Sequence, residues 1–86
     1  MKNIKYGKLK KSFVDHLYYE LGMDTPYTGK ATRFYNTGEV QMECKYKNGV
    51  LHGRSIWWFR DGHKEYETCY VQGKKLLSLC IEEYRK

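Results

Sequence analysis

Eighty-six residues carrying sixteen Lys and Arg against ten Asp and Glu give a formal net charge of +6, on a chain sized for one domain with a modest core. No apolar run is long enough to cross a bilayer, so no membrane span is expected. Residues 1–11 are basic with no apolar stretch behind them, which gives no sign of a secretory signal. A single proline and no low-complexity tract speak against extended disorder, and three cysteines, Cys44, Cys69 and Cys80, lack metal-ligand spacing and fit a reduced, cytoplasmic setting.

Residues 1–26 read as a basic arm and capping segment. Lys2, Lys5, Lys8, Lys10 and Lys11 all precede the first acidic residue, Asp15. Such a run is either a solvated terminus or a flexible electrostatic arm for nucleic acid, an anionic membrane surface or an acidic partner. Ile4, Tyr6, Leu9 and Phe13 are spaced so that part of the arm could dock as a strand or a turn of helix. The pattern over residues 13–19 allows a short strand paired with the first of the two repeats that begin at residue 27. Residues 20–26 then read as a loop, with Gly22 and Asp24 as turn residues and Pro26 fixing the approach to Tyr27.

Residues 27–50 and 51–74 are one unit written twice at an offset of twenty-four. Gly29 recurs as Gly53, Gly38 as Gly62, Glu43 as Glu67, Tyr46 as Tyr70 and Gly49 as Gly73, while Lys30 becomes Arg54, Phe34 becomes Trp58 and Tyr35 becomes Phe59. In the first unit Val40, Met42, Cys44 and Tyr46 alternate with polar residues, the period of two of a half-buried strand. Tyr66, Thr68 and Tyr70 hold the same places in the second. Upstream of each lies an aromatic and β-branched stretch. The connections Asn36-Thr37-Gly38 and Arg60-Asp61-Gly62 supply a glycine for the positive φ of a hairpin turn. Each unit therefore reads as a hairpin, with Asn48-Gly49 and Gln72-Gly73 turning the chain onward. The expected fold is mainly β: an antiparallel meander of stacked β-hairpin repeats, each burying its apolar face on a neighbour.

Residues 75–86 depart from the pattern and read as a degenerate repeat or cap. Leu76, Leu77, Cys80, Ile81 and Tyr84 share one helical face, whereas Leu77, Leu79 and Ile81 would share one face of a closing strand. Both readings stay open.

The run Tyr27-Thr28-Gly29-Lys30, Phe34-Tyr35-Asn36-Thr37-Gly38, Tyr46-Lys47-Asn48-Gly49 and Leu51-His52-Gly53-Arg54 resembles the MORN-repeat variant of many bacterial proteins. Leu17-Tyr18-Tyr19 and Asp24-Thr25-Pro26 look like the leader that often precedes the first repeat in that family. The resemblance covers about residues 14–75, and fixed order and spacing carry it rather than any one motif. It implies stacked hairpin repeats that bind proteins or membrane lipids, and in many relatives the role of antitoxin beside a toxin.

Candidate chemistry is sparse. His16, His52 and His63 have no zinc-enzyme spacing, Cys44 and Cys80 read as packing residues, and no phosphate loop, serine elbow or carboxylate pair is present. No cofactor, metal site or catalytic residue is expected, and the chain is read as a non-enzyme. Equivalent rings are expected to lie side by side in stacked units. Trp57 and Trp58 point to opposite faces of one strand, so one of them should be an exposed anchor. The expected protein-binding surface is Trp57, Trp58 and Phe59 with Tyr35 and Tyr66, serving a protein partner such as a toxin, or self-association. The alternative is electrostatic binding to anionic lipid or nucleic acid through the amino-terminal lysines, compatible with peripheral membrane contact. The mixing of Lys30, Lys45, Lys47, Arg54, Lys64 and Lys74 with acids disfavours nucleic acid.

Overall fold

The computed structural model describes residues 2–76. Over these the chain is almost wholly strand and turn: β1 (Asn3–Lys5), a 3₁₀ turn (Tyr6–Lys8), β2 (Leu9–Lys11), β3 (Tyr18–Glu20), β4 (Gly29–Phe34), β5 (Val40–Lys47), β6 (Val50–Leu51), β7 (Gly53–Trp58), β8 (Lys64–Val71) and β9 (Lys74–Lys75). The main sheet runs β1-β4-β5-β7-β8-β9 with β6 also on β5, and β2 and β3 form a separate pair. Every pairing is antiparallel except that of β1 with β4.

Turn chemistry makes the hairpins. Tyr35 N–H donates to Glu39 O at 2.8 Å and Gly38 N–H to Tyr35 O at 3.0 Å, and the same bonds close Phe59 on His63 (2.8 Å) and Gly62 on Phe59 (3.0 Å). Gly38 and Gly62 take φ of 96° and 94°, where a Cβ would be strained. Asn48-Gly49 (51°, 87°) and Gln72-Gly73 (54°, 83°) hold both central residues at positive φ, as a two-residue hairpin requires. The two hairpins share one register displaced by twenty-four: Gly29 faces Tyr46 and Gly53 faces Tyr70, Arg33 faces Met42 and Trp57 faces Tyr66, and each has its bulge one step further on. The bonding beyond the strands repeats too. Asn48 N–H is accepted by Thr28 Oγ1 at 2.9 Å and Gln72 N–H by His52 Nδ1 at 3.2 Å, so His52 is the second hairpin's counterpart of a threonine. The ion pairs follow suit, with Lys30 on Glu43 at 3.1 Å and Arg54 on Glu67 at 2.6 Å. Both glutamates are thereby half-buried under cations rather than freely solvated.

The apolar cluster around β4 and β5 lies on one face of the sheet. Tyr27, Ala31, Met42, Cys44 and Tyr46 are buried together, with Ile4, Tyr6, Leu9, Tyr18, Leu51 and Trp57 packed on them. The alternation of β5 is followed faithfully, Met42, Cys44 and Tyr46 being its buried positions. In β8 it is not: Tyr66 is exposed, while Cys69, on the opposite face from Thr68, is buried. Ring pairs among the described residues join Tyr18 to Tyr46 (5.0 Å), Tyr27 to Tyr46 (6.2 Å) and Trp57 to Tyr66 (4.6 Å). None of these joins equivalent positions of the two hairpins, contrary to expectation, because strand neighbours and the amino-terminal cover reach each ring first.

The amino-terminal segment is where expectation and structure part. It is no flexible arm: Ile4 lies opposite Ala31 in β1, Lys30 N–H donates to Lys2 O at 2.7 Å, and Thr32 Oγ1 donates to Asn3 Oδ1 at 3.0 Å. Nor do residues 13–19 form a strand on the first hairpin. Ser12 Oγ accepts Val14 N–H at 3.1 Å and Asp15 Oδ1 accepts Leu17 N–H at 2.9 Å. These side chains satisfy the backbone locally and so favour a turn over a ladder. Tyr18–Glu20 then pairs with β2 instead. Residues 77–86, with the helix-or-strand alternative and the packing expected of Cys80, lie outside the described residues.

Candidate functional site

Four strands place a row of side chains across one face of the sheet. Arg33 on β4 faces Met42 on β5, Met42 faces Trp57 on β7, and Trp57 faces Tyr66 on β8. Met42 is buried in the middle of the row, and at one end the exposed Arg33 has its guanidinium 5.2 Å from the Tyr6 ring centre. At the other end Tyr66 remains 48 % exposed while its ring lies on that of Trp57, 4.6 Å apart and 3° from parallel. Directly opposed aromatic residues on neighbouring strands stack in this way because their Cβ atoms sit about 5 Å apart.

The expected surface is thus assembled only in part. Neither tryptophan is an exposed anchor: both are half-buried, Trp57 against the core cluster. A bulge between Trp57 and Trp58 interrupts the simple alternation on which that expectation rested. Tyr66 and Phe59 (49 %) are the exposed members. Tyr35 is tied into the hairpin tips, its hydroxyl donating to Trp58 O at 2.6 Å and its ring lying 4.9 Å from the Arg60 guanidinium. Arg60 in turn donates to Asn36 Oδ1 at 3.4 Å, so the two tips are laced together by polar contacts. The five expected residues therefore fall into two contacting pairs, Trp57 with Tyr66 and Tyr35 with Trp58, with Phe59 beside the second in sequence.

The lysines of the amino-terminal segment are exposed along β1, the 3₁₀ turn and β2. Lys2 is held by Glu20, and Lys11 Nζ lies 5.9 Å from the Tyr18 ring centre. Two shallow grooves run beside them. One is lined by Lys5, Tyr6, Lys8, Leu21, Arg33 and Phe34 among others, and the second by Lys10, Phe13, Val14, Tyr19, Leu21 and Met23 among others. Phe13 and Val14 were not singled out as surface residues from the sequence. The spacing of Ser12 and Asp15 around them was the available sign, since both side chains close the turn that lifts them out.

Burial shapes the titratable groups of the interior. It pushes the phenols of Tyr46, Tyr6 and Tyr27 upward, and it raises the Cys44 thiol, so Cys44 stays protonated and acts as a small packing group. Hydrogen bonding from Lys64 holds the Glu67 carboxyl low, with the charge of Arg54 beside it. Among the described residues no group of three or more His, Cys, Asp or Glu side chains could hold a metal ion, and no helix is long and apolar enough to cross a membrane. A scan against protein-family models, a search of curated proteins and a search of solved structures each returned no match.

Proposed function

We propose that this chain is a non-enzymatic interaction module of stacked, MORN-like hairpin repeats, and that it holds a protein partner or a second copy of itself through the face that ends at Tyr66. The observation that carries the reading is the asymmetry of the cross-strand row. At the first hairpin Tyr6 of the amino-terminal segment meets the Arg33 guanidinium, whereas at the second the Tyr66 ring lies on half-buried Trp57 and stays 48 % exposed. A rigid aromatic pair fixed by two strands costs little entropy to immobilise, and tyrosine and tryptophan are enriched at the centres of interfaces. An antitoxin-like role is the form that the resemblance to bacterial relatives implies for such a surface.

The test uses Tyr66→Ala and Phe59→Ala, both at exposed positions, with light scattering for self-association and co-purification from the native host followed by quantitative binding to whichever protein is recovered. The expected result is a loss of binding of at least about tenfold for Tyr66→Ala, measured where the variant is still fully folded, since losing the stack on Trp57 also costs about 1 kcal/mol of stability. Because β1 belongs to the sheet, the electrostatic contribution is measured by Lys5→Gln and Lys8→Gln rather than by deletion of the segment. Normal binding by Tyr66→Ala together with loss of binding by the charge variants at physiological salt would overturn the reading.

A further inference from the structure

The loop between β2 and β3 presents the most exposed apolar side chains among the described residues, Phe13 at 96 % and Val14 at 88 %. The loop is not slack. Ser12 N–H donates to Leu17 O at 2.7 Å, His16 N–H to Ser12 O at 3.0 Å, and Leu17 N–H to Asp15 Oδ1 at 2.9 Å. Tyr19 Oη donates to Asp15 Oδ2 at 2.5 Å, and His16 is held at a φ of 64°. A folded chain that uses this many bonds to hold two apolar residues out in water has not simply failed to bury them. Leu21 and Met23, each 53 % exposed, extend the apolar surface along the groove beside the tip, and Leu21 also lines the neighbouring groove with the exposed ring of Phe34.

The charge around this ridge is mostly positive. Lys5, Lys8 and Arg33 line one groove, Lys10 the other, and Lys11 adjoins the loop. Against them stand Asp15, whose carboxylate is engaged within the loop, Asp24, and Glu20, which Lys2 neutralises. A convex apolar tip with cations set behind it suits a surface that is soft, apolar beneath and anionic at its face. Apolar side chains gain by entering the acyl boundary, and each lysine near an anionic leaflet adds a further attraction.

We infer that the β2–β3 loop is an interfacial anchor that inserts Phe13 and Val14 into an anionic lipid bilayer, with the lysines of the amino-terminal segment against its headgroups. The anchor lies outside residues 27–74 and is independent of the Trp57–Tyr66 surface, so the two could be occupied together.

The test is co-sedimentation of the full chain with phosphatidylcholine vesicles with and without about 30 % phosphatidylserine. The wild type is expected in the pellet with the anionic vesicles, with binding falling at least about tenfold between roughly 0.05 M and 0.5 M salt. Phe13→Ser combined with Val14→Ser should lower vesicle partitioning by at least about tenfold, with thermal melting as in the wild type since both side chains are exposed. Lys8→Gln combined with Lys10→Gln should weaken binding at low salt, and Tyr66→Ala should leave it unchanged. The inference fails if the wild type stays in the supernatant, or if the Phe13, Val14 variant binds vesicles normally. It fails equally if Tyr66→Ala removes vesicle binding, which would place the contact on the sheet. Should the wild type ignore vesicles while the tip variant breaks up an oligomer seen by light scattering, the tip is a protein contact and the bilayer assignment is wrong.

Discussion

Gly49 and Gly73 occupy the same place in two identical turns, yet replacing them with alanine should have different consequences. Both have positive φ, 87° and 83°, so an added Cβ pays a left-handed penalty of about 1–2 kcal/mol at either site, and the two cancel in comparison. What differs is the surroundings. A Cβ on Gly49 would stand 2.8 Å from Leu17 Cβ, 3.0 Å from Pro26 Cβ and 3.3 Å from Tyr18 N, whereas one on Gly73 meets Val50 Cβ at 3.6 Å, an ordinary contact. The neighbours of Gly49 cannot easily retreat, because Tyr18 N–H donates to Gly49 O at 2.8 Å and Tyr27 N–H to Tyr18 O at 2.9 Å. Overpacking of this kind costs about 1–3 kcal/mol. Gly49→Ala should therefore be less stable than Gly73→Ala by about that amount, a gap of about 5–20 °C in melting temperature for a chain of this size. Urea and thermal unfolding of both variants measure it, with Gly38→Ala and Gly62→Ala, where nothing lies within 4 Å of the added Cβ, giving the backbone cost alone. Equal losses at Gly49 and Gly73 would refute the docking of residues 17–26 on the first Asn-Gly turn.

Three further outcomes are expected. Ser55 is fully buried, and the neighbour its hydroxyl meets is the Cys44 thiol, a weak sulfur partner, while Ala31 holds the corresponding place in the first hairpin. Ser55→Ala should thus be neutral or stabilising by up to about 1 kcal/mol in urea unfolding, and a loss of more than that would show that the hydroxyl is engaged. Tyr35→Phe removes the bond to Trp58 O and should cost about 1 kcal/mol, measured in the same way and weakened further in a background lacking Arg60. The Glu67 carboxyl is held below its ordinary value of 4.5, first by its bond from Lys64. Its contribution is therefore present above that value and is lost as pH falls through the lower folded-state pKa. Melting of the wild type should drop over that acid range more steeply than that of Glu67→Gln, and parallel curves would remove Glu67 as a source of the pH dependence.

Local chemistry made much of this fold readable. The offset of twenty-four, the alternation through Met42, Cys44 and Tyr46, and the glycines at 38, 49, 62 and 73 each state a backbone requirement in residues adjacent in sequence, and the strands and turns lie where those requirements put them. The candidate surface was less legible. Which of Trp57 and Trp58 faces water depends on a bulge between them and on what covers each side of the sheet, and neither is written in the alternation. His52 as a hydrogen-bond acceptor for Gln72 could have been found by aligning it with Thr28, since both can accept where an aliphatic residue could not.

The sequence by itself determined that the chain is mainly β and where its turns fall, because φ preference, side-chain alternation and turn chemistry act over two to five residues. Only the tertiary structure decided that Ile4 would carry the amino terminus into a parallel strand on β4, that Ser12 and Asp15 would close a loop and leave Phe13 and Val14 in water, and that Tyr66 would stay half exposed while stacked on Trp57. Those outcomes rest on competition among apolar groups far apart in the chain for one face of a thin sheet. Ile4, Tyr6, Leu9 and Tyr18 pack on the cluster that holds Tyr46 and Met42, while Tyr66 keeps 48 % of its surface exposed.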